Sequence, residues 1–156
     1  RADVMATVAP DGPVYAAGTL SGHPIAMAAG VTALRMLREP GIYERLENAT
    51  SAICDGLDHV FSSHGISHQI VHRGSLFCTF FTDAPVHDLD DARRSDTAFF
   101  AKYFHAMLDR GVLLPPSQFE TCFISTAHTA SDIDHTIAAA NDSVESLLVP
   151  LARSGR

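Results

Sequence analysis

The chain has 156 residues, a formal net charge of −7, 46% hydrophobic residues and 19% charged residues, which is typical of a globular protein with its own core. The acidic balance and the lack of a basic run argue against nucleic acid or an anionic membrane as partner, and no apolar run is long enough to span a membrane. Three cysteines without C-x-x-C spacing indicate reduced thiols in a cytoplasmic protein.

The first forty residues contain a glycine-bearing loop that leads into a helix. A short helix is predicted over 1–8, followed by breaker residues and then by the loop. Gly18 and Gly22 allow tight turns and the close approach of a ligand, and Thr19 supplies a hydroxyl. The helix predicted over 24–38 starts with unpaired N–H groups and a positive dipole end. This arrangement favours a bound phosphate or carboxylate, and an ordinary loop with a helix cap is the alternative.

A break in the pattern separates two predicted lobes. Glu39-Pro40-Gly41 interrupts the helical periodicity, so the boundary is placed between 1–38 and 39–156. The next helix is predicted over 42–63, because apolar residues recur there three or four positions apart. These residues are Leu46, Ala49, Ile53, Leu57 and Val60.

Two strands are predicted after this helix, over 69–73 and 75–81. The second is apolar at successive positions, which is typical of a strand covered on both faces. Cys78 lies in this strand and is predicted to be buried and inert. Residues 82–94 are predicted to form a polar loop.

The rest of the chain alternates again between helix and strand. Ser95 is predicted to cap a helix that ends near Arg110. Short strands are predicted over 112–114 and 121–125, and Thr129 is predicted to cap the last helix. The core stripes of the two helices are formed by Phe100, Tyr103, Phe104 and Met107, and by Ile133, Ile137, Ala140, Val144 and Leu147. The order of elements predicts an α+β lobe in which helices cover a small sheet.

Motifs near both ends of the chain resemble one family. Gly18-Thr19-Leu20-Ser21-Gly22, followed by Pro24 and by Ala26-Met27-Ala28-Ala29-Gly30, resembles the cofactor-phosphate loop of class III pyridoxal-phosphate aminotransferases, and most closely that of the glutamate-1-semialdehyde 2,1-aminomutases. Leu114-Pro115-Pro116-Ser117-Gln118-Phe119-Glu120 and the following Phe123-Ile124-Ser125-Thr126-Ala127-His128-Thr129 resemble the same enzymes near their carboxyl end.

The resemblance implies a fold, a cofactor and a site. Residues 1–38 would be the end of the large domain of a fold type I enzyme, and 39–156 its small α+β domain. Pyridoxal 5'-phosphate or pyridoxamine 5'-phosphate would be the cofactor, and Gly18 and Thr19 would contact the phosphate held by the partner subunit of a homodimer. Glu120 would line the active-site pocket, facing the amino end of a small-molecule substrate or a water. These enzymes make 5-aminolevulinate for tetrapyrrole synthesis.

The lysine that such an enzyme needs to hold its cofactor is not found among these residues. The one lysine of the chain is Lys102, which lies on a predicted amphipathic helix and is interpreted as a surface residue. In the family the cofactor lysine lies shortly before the position of Arg1. The chain is therefore expected to be the carboxyl-terminal part of a longer enzyme and to be inactive alone.

Two other functions stay open at this point. The chain could belong to another class III aminotransferase, or it could be a non-catalytic dimerisation or binding module. His23 stands where the family usually has Asn, and one of its ring nitrogens could still cap the helix.

The remaining polar residues point to no further chemistry. No metal site is expected, because the histidines at 59, 64, 68 and 72 lack ligand spacing and are interpreted as solvated. Ser21, Ser117 and Ser125 have no evident base partner. His128 is expected to make a structural hydrogen bond.

Overall fold

The computed structural model describes residues 1–149 and divides the chain into two compact units, Arg1–Glu39 and the chain from Pro40 onward. The first unit contains α1 (Ala2–Met5) and α2 (Pro24–Leu37). The helix predicted over 1–8 is limited to one turn, because Val8 instead forms a β-bridge with Val14. The predicted bounds of α2 are confirmed to within one residue, and Pro24 occupies the first helical position, where its missing N–H is harmless.

The second unit combines helices with one small sheet. Its elements in chain order are α3 (Ile42–Ser63), β1 (Gln69–Arg73), β2 (Leu76–Phe80), α4 (Leu89–Ala92), α5 (Thr97–Asp109), β3 (Cys122–Phe123) and α6 (Ala130–Leu148). The strands are antiparallel in the order β1-β2-β3. This mixture confirms the α+β class predicted for the lobe.

The sheet is built around a tight hairpin. β1 pairs with β2 from Gln69 opposite Phe80 to Arg73 opposite Leu76, which leaves a two-residue turn. Gly74 in this turn has a φ of +57°, a conformation that glycine adopts without strain. The prediction that β2 is covered on both faces is wrong in part, because Leu76 is exposed. Cys78 is half-buried rather than buried.

The core lies between the sheet and the three long helices. α6 packs against α3 and α5, and α3 also packs against β1. Phe61 at the centre is fully buried and makes edge-to-face contacts with the rings of Phe81 and Tyr103, at centroid distances of 5.3 and 5.5 Å. The stripes predicted for α3, α5 and α6 are confirmed, since their members are buried or half-buried in this core.

Two predictions between the helices are wrong. Residues 112–114 form no strand, because the Val112 N–H donates to the Met107 carbonyl at the end of α5 and the segment joins no ladder. The predicted polar loop contains the one-turn helix α4, because the Asp88 side chain accepts the Asp91 N–H at 2.9 Å and caps it. At the last helix the predicted cap by Thr129 is confirmed, and the structure adds that Thr129 and Asp132 form a reciprocal capping box.

The cap of α5 is also corrected, from Ser95 to Asp96. The Asp96 carboxylate accepts the Phe99 N–H at 2.8 Å, whereas the hydroxyl of Ser95 is buried without a hydrogen-bond partner among the described residues. We expect Asp96→Ala to lower the free energy of unfolding by about 1 kcal/mol. Ser95→Ala is expected to leave it unchanged or slightly raised, because it removes an unpaired group. Urea unfolding of both variants checks the assignment, and a larger loss for Ser95→Ala would contradict it.

Candidate functional site

The glycine-bearing loop of the first unit consists of two successive turns. The Ser21 N–H donates to the Gly18 carbonyl at 2.9 Å, and the His23 N–H donates to the Leu20 carbonyl at 3.1 Å. Gly22 has a φ of +74°, which favours glycine. A Cβ added at Gly18 would lie 2.9 Å from Ser21 Oγ. Glycine at both positions therefore lets the loop turn sharply into α2.

The loop presents free polar groups at the start of α2. Gly18 and Thr19 are exposed, and the Thr19 hydroxyl makes no hydrogen bond with any described residue. The Met27 N–H is bonded to the His23 carbonyl, while Pro24 has no N–H. The side-chain cap that a ring nitrogen of His23 could have supplied is not formed. The loop therefore offers a hydroxyl beside a helix start, which is suited to an anion.

Glu120 lies in the second unit, in a turn that is attached to β2. The Glu120 N–H donates to the Ser117 carbonyl at 3.0 Å. Within the turn, the Gln118 amide Nε2 donates to the Thr79 carbonyl at 3.4 Å, and the Cys78 thiol points to the Glu120 carbonyl at 3.7 Å. The carboxylate of Glu120 is exposed and makes no hydrogen bond or ion pair with the described residues. It is available to bind a donor.

An open cavity of about 450 Å³ lies beside this turn. It is bordered by α3, the sheet, α5 and the segment from Val112 to Ile124, and its wall is mainly apolar. Glu120, His128 and Tyr103 are among its few polar groups. Pockets that bind small molecules combine these features.

Two ionisable groups of the cavity wall stay protonated. Burial raises the pKa of the Tyr103 hydroxyl well above its usual range, and the neighbouring Cys122 adds to this shift. Burial also raises the pKa of Cys122 to about 12, with smaller contributions from Cys78 and Cys54. Near neutral pH the wall therefore carries a neutral phenol and a neutral thiol, neither of which is suited to be a nucleophile.

Gln118 was not singled out by the sequence, although it lies in the motif that contains Glu120. Its side chain is only 3% exposed, and its Oε1 has no hydrogen-bond partner among the described residues. A buried acceptor left unpaired costs about 1–3 kcal/mol. A polar residue inside an apolar motif was the available signal, but its burial depends on tertiary contacts.

Two of the four clustered histidines are at least partly buried. The interpretation of His68 as solvated is wrong: its side chain is 8% exposed, with Nδ1 at 2.8 Å from the Ile66 carbonyl and Nε2 at 3.0 Å from Asp58. His64 is also partly buried, beside Glu145. The contacts of His68 attach α3 to the segment before β1, and the contact of His64 links the end of α3 to α6, so both histidines have a structural role.

His128 makes the structural hydrogen bond that was predicted for it. Its Nδ1 accepts the Ser125 N–H at 3.0 Å, and the same nitrogen lies 3.1 Å from Ser125 Oγ. Ser125 therefore does have a histidine neighbour, contrary to expectation. Because Nδ1 is already engaged by a backbone N–H, the pair closes a turn before α6 and does not form a hydrolytic dyad.

Between residues 1 and 149 no group of three or more His, Cys, Asp or Glu side chains is arranged to hold a metal ion. None of the helices described is both long and apolar enough to cross a membrane. Lys102 is exposed on α5.

Comparisons with known proteins agree with the motifs at both ends of the chain. A family model for class-III aminotransferases matches residues 1–148. A glutamate-1-semialdehyde 2,1-aminomutase of Roseiflexus castenholzii is 49% identical over 147 residues, which cover 94% of this chain and 34% of that protein. The chain thus spans about a third of the length of such relatives.

Solved structures show the same likeness in three dimensions. An omega-transaminase from Sphaerobacter thermophilus superposes with a TM-score of 0.78 at 27% identity, over 93% of this chain and 34% of that one. A variant of a glutamate-1-semialdehyde aminomutase from Pseudomonas aeruginosa, in complex with PMP, has a TM-score of 0.73 at 16% identity over 87% of this chain and 31% of that one. The second match shows the fold alone. By its sequence and its fold, the chain belongs to the class-III aminotransferase family.

Proposed function

We propose that this chain is the carboxyl-terminal segment of a glutamate-1-semialdehyde 2,1-aminomutase. Such an enzyme moves the amino group between neighbouring carbons of its small substrate, and the product is 5-aminolevulinate for tetrapyrrole synthesis. The single observation that carries the proposal is the 49% identity to an enzyme of that name over 94% of the chain. The proposal places residues 1–38 at the end of the large domain and 39–156 in the small domain.

The proposed cofactor is pyridoxal 5'-phosphate, which alternates with pyridoxamine 5'-phosphate. When bound, it stabilises negative charge on the carbon next to the transferred nitrogen. The loop fits its phosphate group: the Thr19 hydroxyl has no hydrogen-bond partner among the described residues, and Gly18 and Thr19 are both exposed at the start of α2. Gly18 and Thr19 would bind the phosphate through N–H and O–H groups, as charge-assisted hydrogen bonds. Their role is to hold and orient the cofactor.

The same proposal includes a cytoplasmic homodimer in which this loop reaches the partner subunit's cofactor. α2 is compatible with this, because its large apolar side chains are all exposed in this chain and would be covered by the rest of the polypeptide or by a partner subunit. They are Ile25, Met27, Val31, Leu34, Met36 and Leu37. The three free thiols suit a reducing compartment.

The substrate is assigned to the cavity beside Glu120. The unpaired Glu120 carboxylate would bind the amino end of the substrate, and the apolar wall would exclude water from it. The chain's own lysine is not part of the proposal, because Lys102 is exposed on α5.

The test is an assay of the natural polypeptide that contains this chain. We expect it to convert glutamate-1-semialdehyde into 5-aminolevulinate and to retain this activity and its cofactor absorbance after Lys102→Ala. The isolated 156-residue chain is expected to be inactive. Absence of 5-aminolevulinate formation by a preparation that holds its cofactor would reject the proposal, and a loss of the absorbance with Lys102→Ala would reject the role given to this lysine.

The second candidate is an aminotransferase that acts on another amine. It is favoured by the likeness to the omega-transaminase, at a TM-score of 0.78 and 27% identity. The two functions differ in their co-substrates, because a transaminase needs a separate amino acceptor whereas the mutase returns the amino group to the same molecule. Activity with an ω-amine and a keto acid, but none with the semialdehyde, would select the second candidate.

A further inference from the structure

The buried amide of Gln118 has one satisfied end and one unsatisfied end. Nε2 donates to the Thr79 carbonyl at 3.4 Å, and Oε1 has no partner among the described residues. Turning the amide over would bring Oε1 against the Thr79 carbonyl, so that two acceptors would face each other. The orientation is therefore determined by β2, and Oε1 needs a donor from elsewhere.

A small cavity of about 30 Å³ adjoins this amide. Its apolar wall is provided by α3, β2 and α5. Six residues with polar side chains also line it: Thr79, Tyr103, Ser117, Gln118, Glu120 and Cys122. This volume accommodates one water molecule, and a buried water requires two to four polar partners, which the wall supplies.

The protonation state of the groups in the cavity wall also suits a bound water. Because burial raises the pKa of Tyr103, its hydroxyl stays neutral and can both donate and accept a hydrogen bond. Oε1 of Gln118 can only accept. A water can donate one hydrogen to Oε1 and still donate to, or accept from, a hydroxyl of the wall. No single group of the described residues makes both of these contacts.

We propose that this cavity is a hydration site, in which one ordered water donates to Gln118 Oε1 and is held by the hydroxyl groups of the wall, chiefly that of Tyr103. The water joins the Ser117–Glu120 turn to α5, so it holds the backbone that carries Glu120. The inference goes beyond the proposed function, because it depends on the burial of Gln118 and not on which reaction is catalysed.

The direct test is a high-resolution crystal structure of the natural polypeptide and of its Gln118→Met variant. We expect a water within hydrogen-bond distance of Gln118 Oε1, about 2.6–3.2 Å, and its loss in the variant. Gln69→Met, the same change on β1 at a half-buried residue without side-chain hydrogen bonds, is the matched control and should keep the water. A cavity without a water, or one occupied by a side chain from another part of the polypeptide, would overturn the proposal.

A second variant keeps the test valid if Gln118→Met does not fold. Tyr103→Phe retains the ring that packs against Phe61 and Phe81 and removes only the hydroxyl. We expect a lower urea midpoint and weaker water density for Tyr103→Phe, with no change in either for Gln69→Met. An unchanged midpoint together with unchanged density in Tyr103→Phe would show that its hydroxyl holds no water and would also overturn the hydration site.

Discussion

Replacing Glu120 by glutamine in the natural polypeptide is expected, on the proposed function, to lower kcat/KM for glutamate-1-semialdehyde by about 10- to 100-fold, since hydrogen bonds to charged groups contribute about 1.5–3 kcal/mol. The exposed carboxylate has no partner on the described chain and lines the cavity beside the Ser117–Glu120 turn. Glutamine preserves the shape of this side chain and removes its negative charge. An ammonium group of the substrate would therefore lose its counter-charge while the turn stays intact.

The matched control is Glu47→Gln, the same change at an exposed residue of α3 that does not line the cavity. Its steady-state constants should equal those of the unaltered enzyme. If Glu120→Gln leaves kcat/KM unchanged, Glu120 does not bind the reacting group. The hydration site at Gln118 would be unaffected by that result, because its own readout is crystallographic.

Gly56→Ala is expected to lower the free energy of unfolding of the second unit by about 2 kcal/mol, within the range of overpacked cores. In an exposed helix the same change would raise it by about 1 kcal/mol, because alanine has the higher helix propensity. Here α3 packs against α6, and a Cβ at Gly56 would overlap Ile137 Cδ1 and lie 2.7 Å from Ile137 Cγ1. The cost of the clash exceeds the gain from the helix propensity of alanine, so the change lowers the free energy of unfolding where it would otherwise raise it.

Two further variants separate these effects in urea unfolding. Ala52→Gly, on the exposed side of α3, measures the propensity term and should lower the free energy of unfolding by about 1 kcal/mol. The double change Gly56→Ala with Ile137→Ala removes the clashing atoms, so it should be more stable than the sum of the single changes. If the effects of the two single changes simply add, the clash between a Cβ at position 56 and Ile137 is contradicted.

The long helices were predictable because their signals are local. α3 begins at Ile42 and ends at Ser63 as predicted, since an apolar stripe recurs every three or four residues between Pro40-Gly41 and Gly65. The Thr129 cap of α6 was equally predictable, because threonine is a favoured N-cap residue directly before an apolar helical stripe. The family resemblance was local too, since it depends on contiguous motifs at both ends of the chain.

The predictions that were wrong needed contacts between distant residues. A strand requires a partner, and residues 112–114 have none because the end of α5 engages Val112. Whether Ser95 or Asp96 caps α5 depends on where the chain is fixed before the helix. The Asp96 N–H donates to the Phe81 carbonyl at 2.9 Å, a contact between residues that are distant in the sequence. His68 was expected to be solvated, and packing against Phe61 buries it.

The sequence by itself determined the family, the α+β class of the second unit, the main helices and the two motifs that carry Gly18, Thr19 and Glu120, because these depend on residue type and short spacings. Only the tertiary structure decided that Gly56 is a packing site, and that Gln118 is buried beside a small cavity also lined by Tyr103, with no partner for its Oε1 among the described residues. Burial and cavity volume arise where segments far apart in the chain meet. Their geometry therefore follows from packing, which no local pattern of residues specifies.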